Sequence, residues 1–288
     1  MCKTGKNGTL RIRDAGTLRI PPKPPEELMN TTFSSMRHPV FGRGQIKLAA
    51  VVLMTLNHIA EIFLDRGSLL YNLLTGIGFF TAPVMCYFLV EGFRYTRNRK
   101  NYGLRLFLFA LLSQLPFSLA FHDMIRTFSI PLYLNMICTL FICFLILCAM
   151  EYMLPGPVQM GAMILLVCLT SVMDWGYMAP FMVILFRKGE ELPWMRPAGF
   201  AVGIIMLPLI HLMTPYGTVP GALCSMTGPL AAAVCILYFY SRTDSGGNSQ
   251  NKKEKASAFS RWFFYLYYPC HLLILWAIHE FLYLPMVR

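Results

Sequence analysis

The chain has 288 residues, of which 56% are hydrophobic and 14% are charged. Soluble domains carry about 25% charged residues, so this composition excludes an ordinary soluble protein and predicts a membrane protein. A formal net charge of +11 would suit a nucleic-acid partner, but the basic residues cluster between apolar stretches, which predicts lipid contact and no nucleic-acid binding. The cysteines contain no CxxC pair, and all except Cys2 lie in apolar runs, so we expect neither a disulfide framework nor a metal site.

The first 45 residues are basic and rich in proline, and they lack the apolar core of a secretory signal peptide. We predict that residues 1–45 form a disordered cytosolic tail. Nine apolar segments follow, at 46–64, 69–91, 104–121, 133–150, 158–173, 177–187, 198–213, 219–240 and 263–284. The charged loop at 241–260 is predicted to be flexible. The expected fold is therefore all-α, a polytopic membrane helical bundle of about nine transmembrane spans over residues 46–284.

The basic residues indicate how these spans are oriented. With the N-terminus in the cytosol, nine spans place 22 of the 25 lysines and arginines on the cytosolic side, as the positive-inside rule predicts. One long helix over 158–187 would move every later loop to the other side and reduce this asymmetry. The charges therefore favour two short spans that meet at the sequence DWGY, either as separate crossings or as a re-entrant pair.

The first span, IKLAAVVLMTLNHIAEIFLD, carries polar residues that a membrane helix normally excludes. Lys47 and His58 lie within ~20° of one helix face and ~16 Å apart along the axis. Glu61 follows one turn later on nearly the same face, where we predict that it holds one imidazole nitrogen. This arrangement suits a substrate with an anionic head near the cytosol and a reactive group deeper in the membrane. The alternative is a histidine that only hydrogen-bonds a neighbouring helix.

A basic cluster ends the second span, in the sequence EGFRYTRNRKNYGLRL. Glu91 lies inside the predicted helix and Arg94 follows at i+3, where the two side chains can pair. Arg94 and Arg97 are again i and i+3 and offer a fork for phosphate oxygens, which predicts binding of the phosphates of coenzyme A. The alternative is topogenic charge that contacts anionic lipid head groups.

The same motifs resemble two known groups of proteins. Lys47, ten residues and then His58, followed by RxxR after the next span, resemble the pattern of the broad acyltransferase-3 group. The blocks MTLNHIAEIF, EGFRYTRNRKNY, DWGYMAP and FFYLYYPCHLLIL, in this order over 46–284, resemble the TraX family, whose members are associated with N-acetylation of conjugative pilin. This resemblance implies a multi-pass acyltransferase of the bacterial cytoplasmic membrane that uses acetyl-CoA. It further implies that His58 is catalytic, with Lys47, Arg94 and Arg97 on the donor side.

The chain departs from the TraX pattern at two positions. The family typically has Asp immediately before the first-span histidine, where this chain has Asn57, and it often has Arg near the position of Phe79. An amide cannot raise the basicity of His58 as a carboxylate would, so we expect Glu61 to take that role.

Several polar residues lie toward the predicted outer half of the bundle and are candidates for the acceptor site. We predict that Asn135, Asp174 and Tyr177 line this site, and we assign Asn57 to it as well. Interfacial helix capping is the alternative for Asn135 and Asp174. His271 is predicted at mid-membrane depth, where it is a second base, a substrate ligand or an interhelical hydrogen-bond partner.

Acyl transfer from a thioester requires a deprotonated nucleophile and shelter from water. A neutral imidazole can act as general base on the acceptor, or it can accept the acyl group and pass it on. The predicted function is metal-free transfer of acetyl from cytosolic acetyl-CoA to an amine or hydroxyl in or across the membrane. The acceptor would be a protein N-terminus, a sugar or a small metabolite. Alternatives are a small-molecule transporter or flippase, and a membrane protein that only recruits partners.

Overall fold

The computed structural model describes residues 40–122, 133–240 and 258–287, with side chains from 263 to 285 in the last range. Within these ranges the regular structure is helical, as predicted, and two isolated bridges are the only extended pairing. The helices are α1 Arg43–Phe63, α2 Leu69–Gly78, α3 Thr81–Tyr95, α4 Arg99–Ala120, α5 Met136–Tyr152, α6 Pro157–Leu169, α7 Met178–Lys188, α8 Met195–Leu212, α9 Val219–Val234, α10 Ala258–Ile278 and α11 Leu284–Val287. Most of the predicted tail and of the predicted loop at 241–260 lies outside the described residues.

The length and apolar character of the helices are consistent with an integral membrane protein. Five helical stretches among the described residues are long and apolar enough to cross a bilayer: Arg43–Phe63, Leu69–Tyr95, Arg99–Ala120, Met195–Leu212 and Val219–Phe239. Two shorter apolar stretches are Met136–Tyr152 and Pro157–Val172. A count of nine spans and a cytosolic N-terminus stay predictions.

The outward faces of these helices carry large apolar side chains. On α4 a row of leucines is more than half exposed, at Leu104, Leu108, Leu111, Leu112 and Leu115. Helix α6 contains no buried residue, although nearly all of its side chains are apolar. Such surfaces are unfavourable in water but match the hydrocarbon core of a bilayer, so they are expected to face lipid.

The chain breaks between α6 and α7, where the sequence predicts two short spans. Residues Thr170–Val172 form one turn of 3₁₀ helix, and Trp175 has a positive φ of 60°, which ends the helical path. The backbone N–H of Asp174 donates to the carbonyl of Leu134 over 2.8 Å and so ties the break to the start of α5. The two short segments are therefore separate helices in the structure.

Glycines allow α2 and α9 to pack backbone against backbone. A Cβ added to Gly76 would lie 2.3 Å from the carbonyl oxygen of Cys224, and one added to Gly228 would lie 2.4 Å from the carbonyl oxygen of Gly76. Only a residue without a side chain fits such a crossing, which is a common way for membrane helices to associate.

Helices α1 and α10 run side by side in the same direction, and we call their shared contact line the seam. At one end the Lys47 ammonium lies 5.3 Å from the centre of the Phe264 ring. Further along, the hydroxyls of Thr55 and Tyr267 are 2.8 Å apart, and the next contact joins two histidines. The seam therefore leads from a cation to a pair of imidazoles.

Candidate functional site

The deepest contact of the seam is a pair of buried imidazoles, one from each helix. His58 of α1 is 8% exposed and His271 of α10 is 6% exposed. Nδ1 of His58 lies 2.8 Å from Nε2 of His271, and the two rings are nearly parallel with their centres 5.0 Å apart. The edges of Phe121 and Tyr268 enclose the His58 ring. The sequence predicts both histidines at similar depth, and the structure brings them into direct contact.

The hydrogen bonds of this pair fix which nitrogens carry protons. Nδ1 of His271 lies 2.8 Å from the carbonyl oxygen of Tyr267, and a carbonyl oxygen can only accept, so this nitrogen carries the proton. In a neutral ring, which apolar surroundings favour, Nε2 of His271 is then an acceptor. Nδ1 of His58 must therefore donate to it, and the lone pair of the His58 ring is left on Nε2.

Nε2 of His58 is the nitrogen available for chemistry. No hydrogen-bond partner for it exists among the described residues, and the atom is not sealed off by protein. A buried imidazole with one nitrogen held and the other unoccupied has the geometry of a general base or a nucleophile.

Glu61 lies one turn further along α1, but its carboxylate does not contact the His58 imidazole as predicted. The hydroxyl of Tyr71 donates to its carboxylate over 2.8 Å, and the Arg66 guanidinium lies 3.9 Å away. The position next to the His58 ring that we predicted for Glu61 is taken by His271. A catalytic role for Glu61 stays a prediction that this geometry does not support directly.

Lys47 is a cation without a carboxylate partner among the described residues. Its ammonium lies over the rings of Phe88 and Phe264, at 5.8 Å and 5.3 Å from their centres. Both carboxylate oxygens of the nearby Glu91 accept from the Tyr240 hydroxyl, at 2.9 Å and 2.8 Å. The Lys47 ammonium therefore contacts aromatic faces, and its N–H donors are not taken up by a described carboxylate.

One of the two arginines of the predicted phosphate fork, Arg94, is paired with a protein carboxylate. Arg94 contacts Glu190 at 3.3 Å, and Glu190 also pairs with Arg187. Arg187 and Arg99 in turn both contact Glu151, so these charges form one network across α3, α4, α5 and α7. Arg97 is exposed at the same end of the molecule. The predicted shared helical face is wrong, because α3 ends at Tyr95 and Arg97 lies in the segment before α4.

Asn135 uses its full hydrogen-bonding capacity within the protein. Its side-chain oxygen accepts from the backbone N–H groups of the first turn of α5, at 2.9 Å and 3.2 Å. Its side-chain nitrogen donates to the Ala110 carbonyl over 2.9 Å and to Gln114 over 2.8 Å. These contacts correspond to the capping alternative, and they leave no donor or acceptor for an outside ligand.

The other predicted acceptor residues lie apart from one another. Asp174 lies 3.5 Å from the Tyr133 hydroxyl, and desolvation raises the pKa of this carboxyl to about 7. Tyr177 is half exposed at the start of α7. The Asn57 side chain donates to the Thr75 carbonyl over 3.3 Å. Their predicted role in acceptor binding stays untested.

Sequence reasoning missed the residues that orient the imidazoles. Tyr267 accepts from His271 through its carbonyl and lies 2.8 Å from Thr55 through its hydroxyl, and it precedes His271 by one helical turn. The i, i+4 spacing of Tyr267 and His271 is the sequence feature from which this contact could have been predicted. Among the described residues no three His, Cys, Asp or Glu side chains gather as metal ligands.

Comparison with known proteins places these features in a family. The family model described as TraX protein matches residues 42–279. The chain is also 29% identical over 254 residues to a protein of Dichelobacter nodosus named "Probable fimbrial assembly protein FimC, serogroup H1", covering 84% of this chain and 97% of that protein. No solved structure matches the chain.

Proposed function

Because the chain belongs to the TraX family, we propose that it is an integral membrane acetyltransferase. It would transfer acetyl from acetyl-CoA to an amine or hydroxyl acceptor in or across the bacterial cytoplasmic membrane. The name of the relative from D. nodosus suggests surface-fibre assembly as a setting, which agrees with the N-acetylation of pilin that the TraX resemblance implies. A relationship to the acyltransferase-3 group is part of the same proposal.

The oriented imidazole pair is the observation that carries this proposal. As the acceptor amine or hydroxyl attacks the thioester carbonyl, Nε2 of His58 removes its proton. The carbon–sulfur bond then breaks, and the thiolate of coenzyme A takes up that proton from the imidazolium. General-base catalysis of this kind contributes about 10²–10⁴-fold to a rate. Before the reaction His271 keeps the lone pair of the His58 ring on Nε2, because it accepts the hydrogen bond from the N–H at Nδ1.

A second route uses the same atoms in two steps. Nε2 of His58 attacks the thioester carbonyl, the carbon–sulfur bond breaks and coenzyme A leaves as its thiolate. The acceptor then attacks the acetyl carbonyl, the bond to Nε2 breaks, and the proton that the acceptor loses is taken up by the thiolate. Both routes need Nδ1 of His58 to be held by His271, and both need shelter from water, which the burial of the His58 ring supplies.

The donor would enter from the Lys47 end of the seam. With the N-terminus in the cytosol, as predicted, Lys47 lies at the cytosolic end of α1, and His58 lies ~16 Å further along the helix axis. The phosphates of coenzyme A would stay near the cation, and the arm that carries the thioester would extend toward the imidazoles.

The test uses the full chain in membranes supplied with radiolabelled acetyl-CoA. We expect His58→Ala and His58→Gln to reduce acetyl incorporation by about 10²–10⁴-fold. The matched control is His122→Ala, which removes an exposed histidine and should leave incorporation unchanged. Unchanged incorporation in both His58 variants would refute the proposal. Solute flux that needs no acetyl-CoA would instead support a transporter.

A further inference from the structure

We infer that the donor phosphates bind to a second set of basic residues, at the Lys47 end of the seam. This set consists of Arg43 and Lys47 on α1 and Arg105 on α4, and we call it the seam cation cluster. The inference rests on the proposed function, because it names the site of the donor in that reaction. It differs from the fork of Arg94 and Arg97 that the sequence predicts.

Two of the three cations share one aromatic surface. The Arg43 guanidinium lies 5.2 Å from the centre of the Phe88 ring, and the Lys47 ammonium lies 5.8 Å from the same centre. Arg43 and Lys47 are i and i+4 on α1, so their charges lie one above the other on one face. An anion at this face would contact both.

Arg105 extends the cluster onto the neighbouring helix. Its guanidinium lies 6.0 Å from the centre of the Tyr102 ring. One turn after Arg105, the ring of Phe109 stacks on the ring of Tyr265 of α10, with the ring centres 4.8 Å apart. Tyr265 follows Phe264, the residue that contacts Lys47, and therefore joins Arg105 to the seam.

The cluster contains buried donors that have no acceptor among the described residues, although another nitrogen of Arg43 donates to the Phe88 carbonyl over 3.2 Å. Nε of Arg43 and Nε of Arg105 are both buried, and neither has a hydrogen-bond partner among the described residues. Lys47 has no described carboxylate partner either. Buried charged donors are normally satisfied, and phosphate oxygens are strong acceptors for guanidinium groups. Orphaned donors on two helices therefore point to an anionic ligand between them.

Charge balance separates this cluster from the predicted fork. Arg94, Arg99 and Arg187 share the carboxylates of Glu151 and Glu190. By contrast, the carboxylate described next to the seam cation cluster is Glu91, which lies 3.9 Å from Arg43 and accepts from Tyr240. The seam cation cluster has three cations near one described carboxylate, whereas the network has three arginines for two carboxylates. The field at the cluster is therefore the more positive of the two, and a phosphate gains more there.

The chemistry recognised here is a phosphate group, which either coenzyme A or an anionic lipid could supply. To separate these sources, the purified full chain is placed in phosphatidylcholine nanodiscs and titrated with coenzyme A. The titration is then repeated in discs that contain phosphatidylglycerol. We expect Arg43→Gln and Arg105→Gln each to weaken coenzyme A binding by about tenfold or more, the usual effect of losing one charge-assisted hydrogen bond.

Matched variants make the result specific. Arg105→Lys keeps the charge but loses the planar fork, so its affinity should fall between those of the wild type and Arg105→Gln. Lys188→Gln removes an exposed charge on α7 and should bind coenzyme A as the wild type does. Size-exclusion profiles verify that each variant is folded.

Two outcomes overturn the inference alone, and a third overturns the proposed function as well. If Arg97→Gln weakens binding and Arg105→Gln does not, the donor phosphates lie at the outer arginines and the acetyltransferase proposal survives. If the cluster variants change only the retention of phosphatidylglycerol, the cluster is a lipid site. If the wild type itself binds no coenzyme A, the proposed function fails together with the inference.

Discussion

The imidazole pair and the junction around Asn135 are both buried polar clusters, but they differ in one respect. Asn135 is fully buried and makes all four hydrogen bonds that its amide allows, to α4 and to the first turn of α5. His58 is almost as buried, yet only one of its two ring nitrogens has a described partner. Both clusters join helices, but only the imidazole pair contains a polar atom without a described partner, which is Nε2 of His58.

This difference separates a structural cluster from a reactive one. A polar group in an apolar interior is expensive, so complete satisfaction indicates that its role is to hold helices together. An atom that stays unsatisfied without being sealed off has a role outside the fold, such as binding or proton transfer. The predictions below test whether this criterion holds for the two clusters.

After the loss expected for the His58 variants, the largest effect is at His271, which we regard as a positioning residue. His271→Leu removes the acceptor for Nδ1 of His58 and leaves the tautomer unspecified, so we expect acetyl transfer to fall by about 10–100-fold. His271→Gln can supply a carbonyl oxygen and should restore part of the activity. The measurement is incorporation of labelled acetyl at saturating acetyl-CoA. Equal losses in both variants would mean that His271 acts only through packing.

The next effect is at Asn135, where stability should change. Asn135→Ala removes a helix cap and leaves backbone and side-chain groups of α4 and α5 unsatisfied, so we expect a loss of about 2 kcal/mol in the free energy of unfolding. The matched control is Asn98→Ala, which removes the exposed cap of α4 and should cost about 1 kcal/mol or less. A raised KM for the acceptor without any loss of stability would instead support the prediction that Asn135 lines the acceptor site.

The smallest effect concerns the pH dependence of Asp174. The pKa of this carboxyl is raised to about 7, above its ordinary value, so the folded state binds the proton more tightly than the unfolded state does. Its contribution to stability is therefore present at low pH and is lost as pH rises from about 4 to 7. Asp174→Asn should raise the midpoint of thermal unfolding by about 2–4 °C more at pH 8 than at pH 5. An equal shift at both pH values would contradict the raised pKa.

Some of these features could be predicted from the sequence because they depend on one helix or on composition. The all-α fold follows from the apolar stretches, and the shared face of Lys47 and His58 follows from helical periodicity. The break at DWGY was predicted from charge asymmetry and is present as two separate helices. These inferences need no knowledge of which helices are neighbours.

The partners of the polar residues could not be predicted, because they depend on how distant helices pack. Periodicity places Glu61 near His58, yet the Glu61 side chain bonds Tyr71, and the imidazole partner comes from α10. Arg94 and Arg97 do not share one helical face, because α3 ends at Tyr95, and Glu190 on another segment already holds Arg94. The seam cation cluster likewise joins Arg105 to residues of α1 that are some sixty positions earlier in the sequence.

The two imidazoles in contact are separated by 213 positions in the chain. During biosynthesis the first of them is inserted into the membrane long before the ribosome has made the second. A stalled or prematurely terminated polypeptide therefore contains His58 without the residue that directs its proton. Under the proposed function, such an incomplete product has no correctly prepared base, so acetyl transfer would begin only after α10 has been inserted.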